Sequence, residues 1–231
     1  MIEPKFQNFK NNYLSKKNQI LYKRLAGDLE TAVSLMIKLT NNKNNSFLLE
    51  SVTGGETRGR FSVIGMDPDL IWKCRGKKSK IKRKSEEKFS KFQNCEDAPL
   101  DELRKIIDES KIDFPENIPT ISAGLFGYIG YDMIKLVEKL PSKNIDYLKL
   151  PDSILIRPSI IIVIDNVKDE LLIVSPVWLS KTSLNEKKLE KIYEEGKKRI
   201  VNIENKISRK VIKNKKINIK DNKENLEIKS K

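Results

Sequence analysis

One stretch constrains the fold of this chain more than any other. Ile154 to Asp165 and Glu170 to Val177 read as two strands, and Asn166-Val167-Lys168-Asp169 between them reads as the turn of a hairpin. The most apolar run within it, Ile160 to Ile164, is far too short to cross a bilayer, which takes ~20 helical residues. The hairpin therefore belongs to a sheet, and no membrane partner is expected.

Further strands are expected from Phe47 to Val52, from Arg60 to Gly65 and from Leu70 to Cys74. Thr53-Gly54-Gly55-Glu56 and Asp67-Pro68-Asp69 read as the turns between them. Residues 77–91 are so charged that an exposed hairpin or a mobile excursion is predicted. Three helices are expected. The first opens at Asp28 as N-cap, with Leu29, Val33, Met36 and Ile37 as its apolar stripe. The second opens at Asp97-Ala98-Pro99, with Leu100, Leu103, Ile106 and Ile107 buried. The third follows a capping box at Ser183 and Glu186 and shows Leu189, Ile192, Tyr193, Gly196, Ile200 and Ile203 on one face. Helices alternating with hairpins predict an α+β fold of antiparallel sheets with flanking helices.

Composition removes several functions. The 231 residues contain no histidine, so Ser-His-Asp and Cys-His catalysis and His-bearing metal sites are excluded. Two cysteines, Cys74 and Cys95, stand at no motif spacing and read as reduced thiols. The first residues lack the apolar run of a signal peptide, and a cytoplasmic protein is expected. The net charge of +14 invites a nucleic-acid reading, but its distribution argues otherwise. Residues 73–91 carry ten Lys/Arg against two Glu, and residues 205–231 carry ten against three acids, so the remainder is close to neutral. Neither stretch interleaves aromatics for stacking on bases; both read as solvated surface, with no nucleic-acid partner.

Glycines 124, 127 and 130 are spaced G-x-x-G-x-x-G, which is neither a dinucleotide nor a P-loop pattern. They read as a strand that lets another backbone approach closely. Tyr128, Tyr131 and Asp132 beside them suit packing or a subunit contact, and Trp72 and Trp178 read as aromatics of the core or its edge.

Four motifs in order resemble one family. Leu48-Leu49-Glu50-Ser51-Val52, then Gly55 and Arg58-Gly59-Arg60-Phe61-Ser62-Val63-Ile64-Gly65 with Asp67-Pro68, are similar to the "LLES…GG…RGRYSFIG…DP" signature of component I anthranilate synthases. Ala26-Gly27-Asp28-Leu29-Glu30-Thr31-Ala32-Val33-Ser34 is similar to the family's "ADLETPVS", and Gly124 to Asp132 resembles its "GLFGYLGYD". Leu150-Pro151-Asp152 and Ser175-Pro176-Val177-Trp178 complete the order. The likeness runs from about residue 20 to 200.

The resemblance implies the N-terminal part of a lyase of tryptophan biosynthesis. The family converts chorismate and ammonia, drawn from glutamine by a glutamine amidotransferase subunit (component II), to anthranilate and pyruvate. Magnesium anchors the substrate carboxylate there. Residues 1–204 correspond to the regulatory and scaffolding region. Residues 205–231 read as a basic linker toward a chorismate-binding domain, so no catalytic residue and no metal ligand is expected in this chain. The resemblance also implies a feedback pocket for L-tryptophan. Glu50 would face the ammonium, the Ser51 hydroxyl and Arg60 the carboxylate; Arg60 is preferred to Arg58. An aminodeoxychorismate synthase component I fragment, a non-catalytic amino-acid-binding regulatory module and a basic nucleic-acid-binding protein are the alternatives; the DLETAVS and RGRFSVIG stretches favour anthranilate synthase.

Overall fold

A computed structural model describes residues 1–27, 29–40, 44–50, 59–85, 88–140, 146–180 and 185–208. Its strands are β1 (Gln19–Ala26), β2 (Phe47–Leu49), β3 (Phe61–Arg75), β4 (Lys78–Ser85), β5 (Lys88–Phe89), β6 (Gln93–Asn94), β7 (Phe126–Ile129), β8 (Ser153–Asp165) and β9 (Glu170–Val177). Its helices are α1 (Phe6–Leu14), α2 (Ala32–Thr40), α3 (Pro99–Glu109) and α4 (Glu186–Ile207). The fold is α+β, and every strand pair among the described residues is antiparallel.

The hairpin forms as expected, with β8 and β9 in register from Ile161↔Val174 to Asp165↔Glu170. β8 also runs beside β3 from Phe61↔Asp165 to Cys74↔Ser153. These two long strands are the spine of a sheet ordered β1-β9-β8-β3-β4-β5, with β2 added to β3 and β7 to β8.

The largest departure from the sequence reading lies at Asp67-Pro68-Asp69. It is not a turn between two strands but a bulge within the single strand β3. Pro68 pairs with Pro158 and Leu70 with Arg157, leaving Asp69 as the unpaired extra residue. Opposed prolines suit a position where neither strand owes the other an N–H. The extra residue reverses which side of the strand faces which way. Before it, Ile64 and Met66 join Ile160, Ile162 and Ile164 of β8 under α1, α2 and α4. After it, Leu70, Trp72 and Cys74 join Leu155 under α3. On β8, which has no bulge, Leu155 shares parity with Ile161 and Val163. Those two lie on the opposite face from Ile160 and Ile162, in a cluster with Ile118 and Val174. One bulge thus places α3 across the sheet from the other helices.

The helices differ from expectation in detail. α2 begins at Ala32, and Thr31 is its cap. The Ser34 N–H donates to Thr31 Oγ1, and the Thr31 N–H donates to Ser34 Oγ, both at 3.1 Å. The expected cap, Asp28, lies outside the described residues. The expected stripe is also wrong for three of its four residues. Leu29, Val33 and Ile37 are exposed, while Ala32, Leu35 and Leu39 are buried. α3 buries Leu103 and Ile106 as read, but Ile107 is 46% exposed. α4 is capped by Asn185, whose Oδ1 accepts the Lys188 N–H at 3.0 Å, and Ser183 lies outside the described residues. Its buried face, Leu189, Tyr193, Gly196, Ile200 and Ile203, is as expected. α1 and β1 had no counterpart in the sequence reading. Phe9 of α1 packs on Tyr193 with ring centroids 5.1 Å apart.

The charged stretch 77–91 takes the hairpin alternative, β4 followed by β5. Lys82 rests over the Phe89 ring at 4.5 Å. The close approach read for the glycine segment holds at Gly127, within β7, and at Gly130, where a Cβ would stand 2.7 Å from the Asp152 carbonyl oxygen, but not at Gly124, which has nothing within 4 Å. At Gly127, φ is +152°, and a Cβ would stand 1.9 Å from the Ile154 carbonyl oxygen. Trp72 is fully buried.

Gly127→Ala forces both a strained backbone and an overlap with β8. It is expected to cost about 2 kcal/mol or more of unfolding free energy. Gly76→Ala, where φ is +53° but nothing lies within 4 Å of the new Cβ, is the comparison; there only the backbone term applies, about 1–2 kcal/mol. Urea unfolding of both variants checks the difference, and equal losses would mean that β7 moves aside.

Candidate functional site

β2 leads toward the residues that the motifs single out. Its three residues pair with β3 as Phe47↔Gly65, Leu48↔Ile64 and Leu49↔Val63. Phe47 stacks on Phe126 at 4.7 Å on the face away from α2, while Leu48 packs on the helix-bearing side. By alternation Glu50 follows Leu48 toward the helix side. Pairing has ended there, and Glu50 is exposed. Ser51 and Arg58 lie outside the described residues.

Arg60 sits just ahead of β3 and is held by the hairpin turn. Its Nε donates to Asp165 Oδ1 at 2.9 Å and its Nη2 to Oδ2 at 2.5 Å. The guanidinium lies 4.9 Å from the Phe61 ring centroid. Asp165 also accepts the backbone N–H groups of Val167 and Lys168, at 3.1 and 3.2 Å. The hydrogen-bonded Arg60 guanidinium, with help from those amides and against the cost of burial, holds the Asp165 carboxyl below the usual range. The backbone closes the same junction, since the Asn166 N–H donates to the Arg60 carbonyl at 2.9 Å.

Arg60 and Asp165 line a hollow of about 400 Å³. Phe61, Val163 and Leu172 form part of its apolar lining, and Ile118 and Ile121 add to it. Across it, Arg24 donates to Glu170 Oε2 at 3.1 Å and to the Asn117 carbonyl at 2.8 Å. The wall thus sets two arginine–carboxylate pairs beside an apolar floor. The structure brings Arg60 to this hollow; Glu50 is not among its lining residues. Asp165, Arg24 and Glu170 were missed in the sequence. The only local signal was Asp165-Asn166 at a turn, which reads as ordinary turn chemistry.

Among the described residues there is no group of three or more His, Cys, Asp or Glu that could hold a metal ion. No helix among them is long and apolar enough to cross a membrane.

No family model matches the chain. Curated relatives do. Component 1 of anthranilate synthase from Cereibacter sphaeroides is 53% identical over 175 residues, covering 76% of this chain and 35% of its own length. The chain is of the anthranilate synthase component 1 family. The component 1 proteins of Pseudomonas putida, 35% identical over 62% of this chain and 29% of that one, and of Synechocystis, 30% over 74% and 33%, agree. A crystal structure of anthranilate synthase component I from Streptococcus pneumoniae covers 74% of this chain and 35% of its own, with 24% identity and a TM-score of 0.45. The chain spans about a third of the length of the curated relatives it matches. That partial coverage fits the N-terminal half to which the motifs point.

The Arg60–Asp165 pair yields a pH prediction. A carboxyl held below its unfolded value contributes stability above about pH 4, and the contribution is lost as pH falls through the lowered value. Asp165→Asn keeps an acceptor for the turn amides but removes the charge. It is expected to cost about 1–3 kcal/mol at pH 7, with the gap to wild type closing in acid. Urea midpoints at pH 7 and pH 3 measure this, and a gap independent of pH would assign the loss to packing.

Proposed function

We propose that this chain serves as the N-terminal part of component I anthranilate synthase, the scaffolding and regulatory region of an enzyme that makes anthranilate and pyruvate from chorismate. The observation that carries this reading is the 53% identity over 175 residues to a component 1 protein. In the complete enzyme, ammonia would come from glutamine through a glutamine amidotransferase subunit, magnesium would be held outside this chain, and the site of work would be the cytoplasm.

Feedback inhibition is the role proposed for the β2–β3 junction. L-Tryptophan carries an ammonium, a carboxylate and an apolar indole. Glu50 would supply an anion to the first, and the Ser51 hydroxyl and Arg60 donors to the second. Asp165 supports this reading by orienting the Arg60 fork before any ligand arrives, which lowers the cost of ordering it. Glu50 and Ser51 are neighbours in sequence, so an extended backbone points them to opposite sides. Ser51 is assigned the direct contact and Glu50 a place at the strand end.

In the complete enzyme, Ser51→Ala is expected to weaken tryptophan inhibition by roughly tenfold to a hundredfold, the loss of one hydrogen bond to a charged group. The uninhibited rate of anthranilate formation should change little. The check is an inhibition curve alongside the basal rate, followed by anthranilate fluorescence. An unchanged inhibition constant removes Ser51 from the pocket. A lost basal rate with inhibition intact places the strand in the catalytic scaffold instead.

A further inference from the structure

A second concavity lies away from the β2–β3 junction, where the end of α3 and the bulge of β3 meet β9 and α4. It is a groove of about 1080 Å³. At its centre is Arg157, whose side chain is only 6% exposed. Its Nε and Nη2 donate to the two oxygens of Asp69, at 2.9 and 2.6 Å, and its Nη1 donates to Ser110 Oγ at 3.0 Å. Its guanidinium lies 4.4 Å from the centroid of Trp178.

The charges of the groove do not balance. Seven Lys or Arg side chains line it against four carboxylates. Each carboxylate already has a partner within the groove. Asp69 takes Arg157; Glu109 takes Arg83 at 2.7 Å and Arg157 at 3.3 Å. Asp108 takes Lys111 at 2.7 Å and Asp113 takes Lys17 at 3.8 Å. Lys16, Lys84 and Arg199 are left with no ion pair among the described residues. Lys16 and Lys84 are exposed, where water serves them. Arg199 is not. It lies along α4 over β9, and its Nε donates to Ser175 Oγ, a fully buried hydroxyl, at 2.9 Å. Burial holds its guanidinium below the usual value, and the carboxylates of Glu195 and Asp69 act on it only from beyond contact. A partly desolvated cation without a counter-charge in contact is costly, and a guanidinium edge is shaped to receive two oxygens of one anion.

We propose that this groove is a binding site for a small oxyanion ligand, a phosphate or a polycarboxylate, received by Arg199 at its floor and by Lys16 and Lys84 at its rim. The Arg157–Asp69–Glu109–Arg83 chain holds the floor rigid while remaining neutral within itself. The ligand supplies the charge that the groove lacks.

The test is calorimetric titration of the full chain with inorganic phosphate and, separately, with citrate, at constant ionic strength set with chloride. Saturable binding of either is expected, and the tighter of the two names the chemistry. Arg199→Met keeps an apolar stem and removes a charge that has no carboxylate in contact; it is expected to weaken that binding about tenfold or more. Lys84→Met, an exposed change that leaves folding alone, should weaken it a few-fold, as loss of one rim charge would. Arg75→Met, on a cation outside the groove, should leave it unchanged. Absence of saturable binding by both anions overturns the proposal. So does binding that all three variants retain, or lose equally.

Discussion

The pairing of β3 with β8 is the constraint from which the rest of the molecule follows. Two long strands paired from Phe61↔Asp165 to Cys74↔Ser153 carry the other strands of the described residues on their outer edges, directly or through a neighbour. One residue, Asp69, is left over in that ladder. Because side chains alternate along a strand, a single extra residue moves the apolar set from one face to the other. The protein uses this to clothe both sides of the sheet from one strand, with α1, α2 and α4 on one side and α3 on the other. The extra residue is also put to use, since Asp69 is the carboxylate that holds Arg157. The irregularity that allows two cores thus also places the carboxylate that holds Arg157, whose Nη1 reaches Ser110 and Glu109 at the end of α3.

What a reader of the sequence sees of this depends on how local each feature is. The β8–β9 hairpin was legible because both strands and their turn are contiguous. The close approach at Gly127 and Gly130 was legible because glycine is the residue that lets another backbone come near, although Gly124 makes no such approach. The bulge was not. Asp67-Pro68-Asp69 has the chemistry of a turn, and also of a bulge in a continuing strand. Which of the two forms is decided by β8, some ninety residues away, whose own proline at 158 lies opposite Pro68. No window around residue 68 contains that information.

The misplaced stripe of α2 has a different origin. A helix with one apolar side announces its inner face, but α2 is apolar almost all round. Leu35 and Leu39 face the sheet, while Val33 and Ile37 lie outward at 49% and 63% exposure. Periodicity fits both sets, and only the direction of the chain on entering and leaving the helix chooses between them. The cap shifted for a related reason. Asp28 and Thr31 are both good caps, and the reciprocal bonds between Thr31 and Ser34 settle where the first turn closes. α1 was missed because its apolar residues, Phe6, Phe9, Tyr13 and Leu14, are separated by Asn, Lys and Gln, and β1 because Ile20-Leu21-Tyr22 is a run too short to show a period. α1 is buried by aromatic packing on α4, whereas β1 is held by its pairing with β9 and buries Leu21 and Ile20 in the two cores on either side of the sheet.

At the junction of β2 and β3, sequence and structure contribute different parts. The motif singles out Glu50, Ser51 and Arg60 but says nothing of what orients them. The structure supplies Asp165, at the far end of the β8 ladder, which grips Arg60 and the two turn amides at once. An arginine so held cannot swing freely toward a ligand. It gains in readiness what it loses in reach, since its rotamer entropy is spent on folding rather than on binding. The consequence is directional. The Asp165 grip holds the Arg60 guanidinium at the wall of the hollow that Phe61 and Val163 also line, beside the hairpin turn. Arg60 and the turn, about a hundred residues apart in sequence, thus meet at one end of the long β3–β8 ladder, where Phe61 pairs with Asp165.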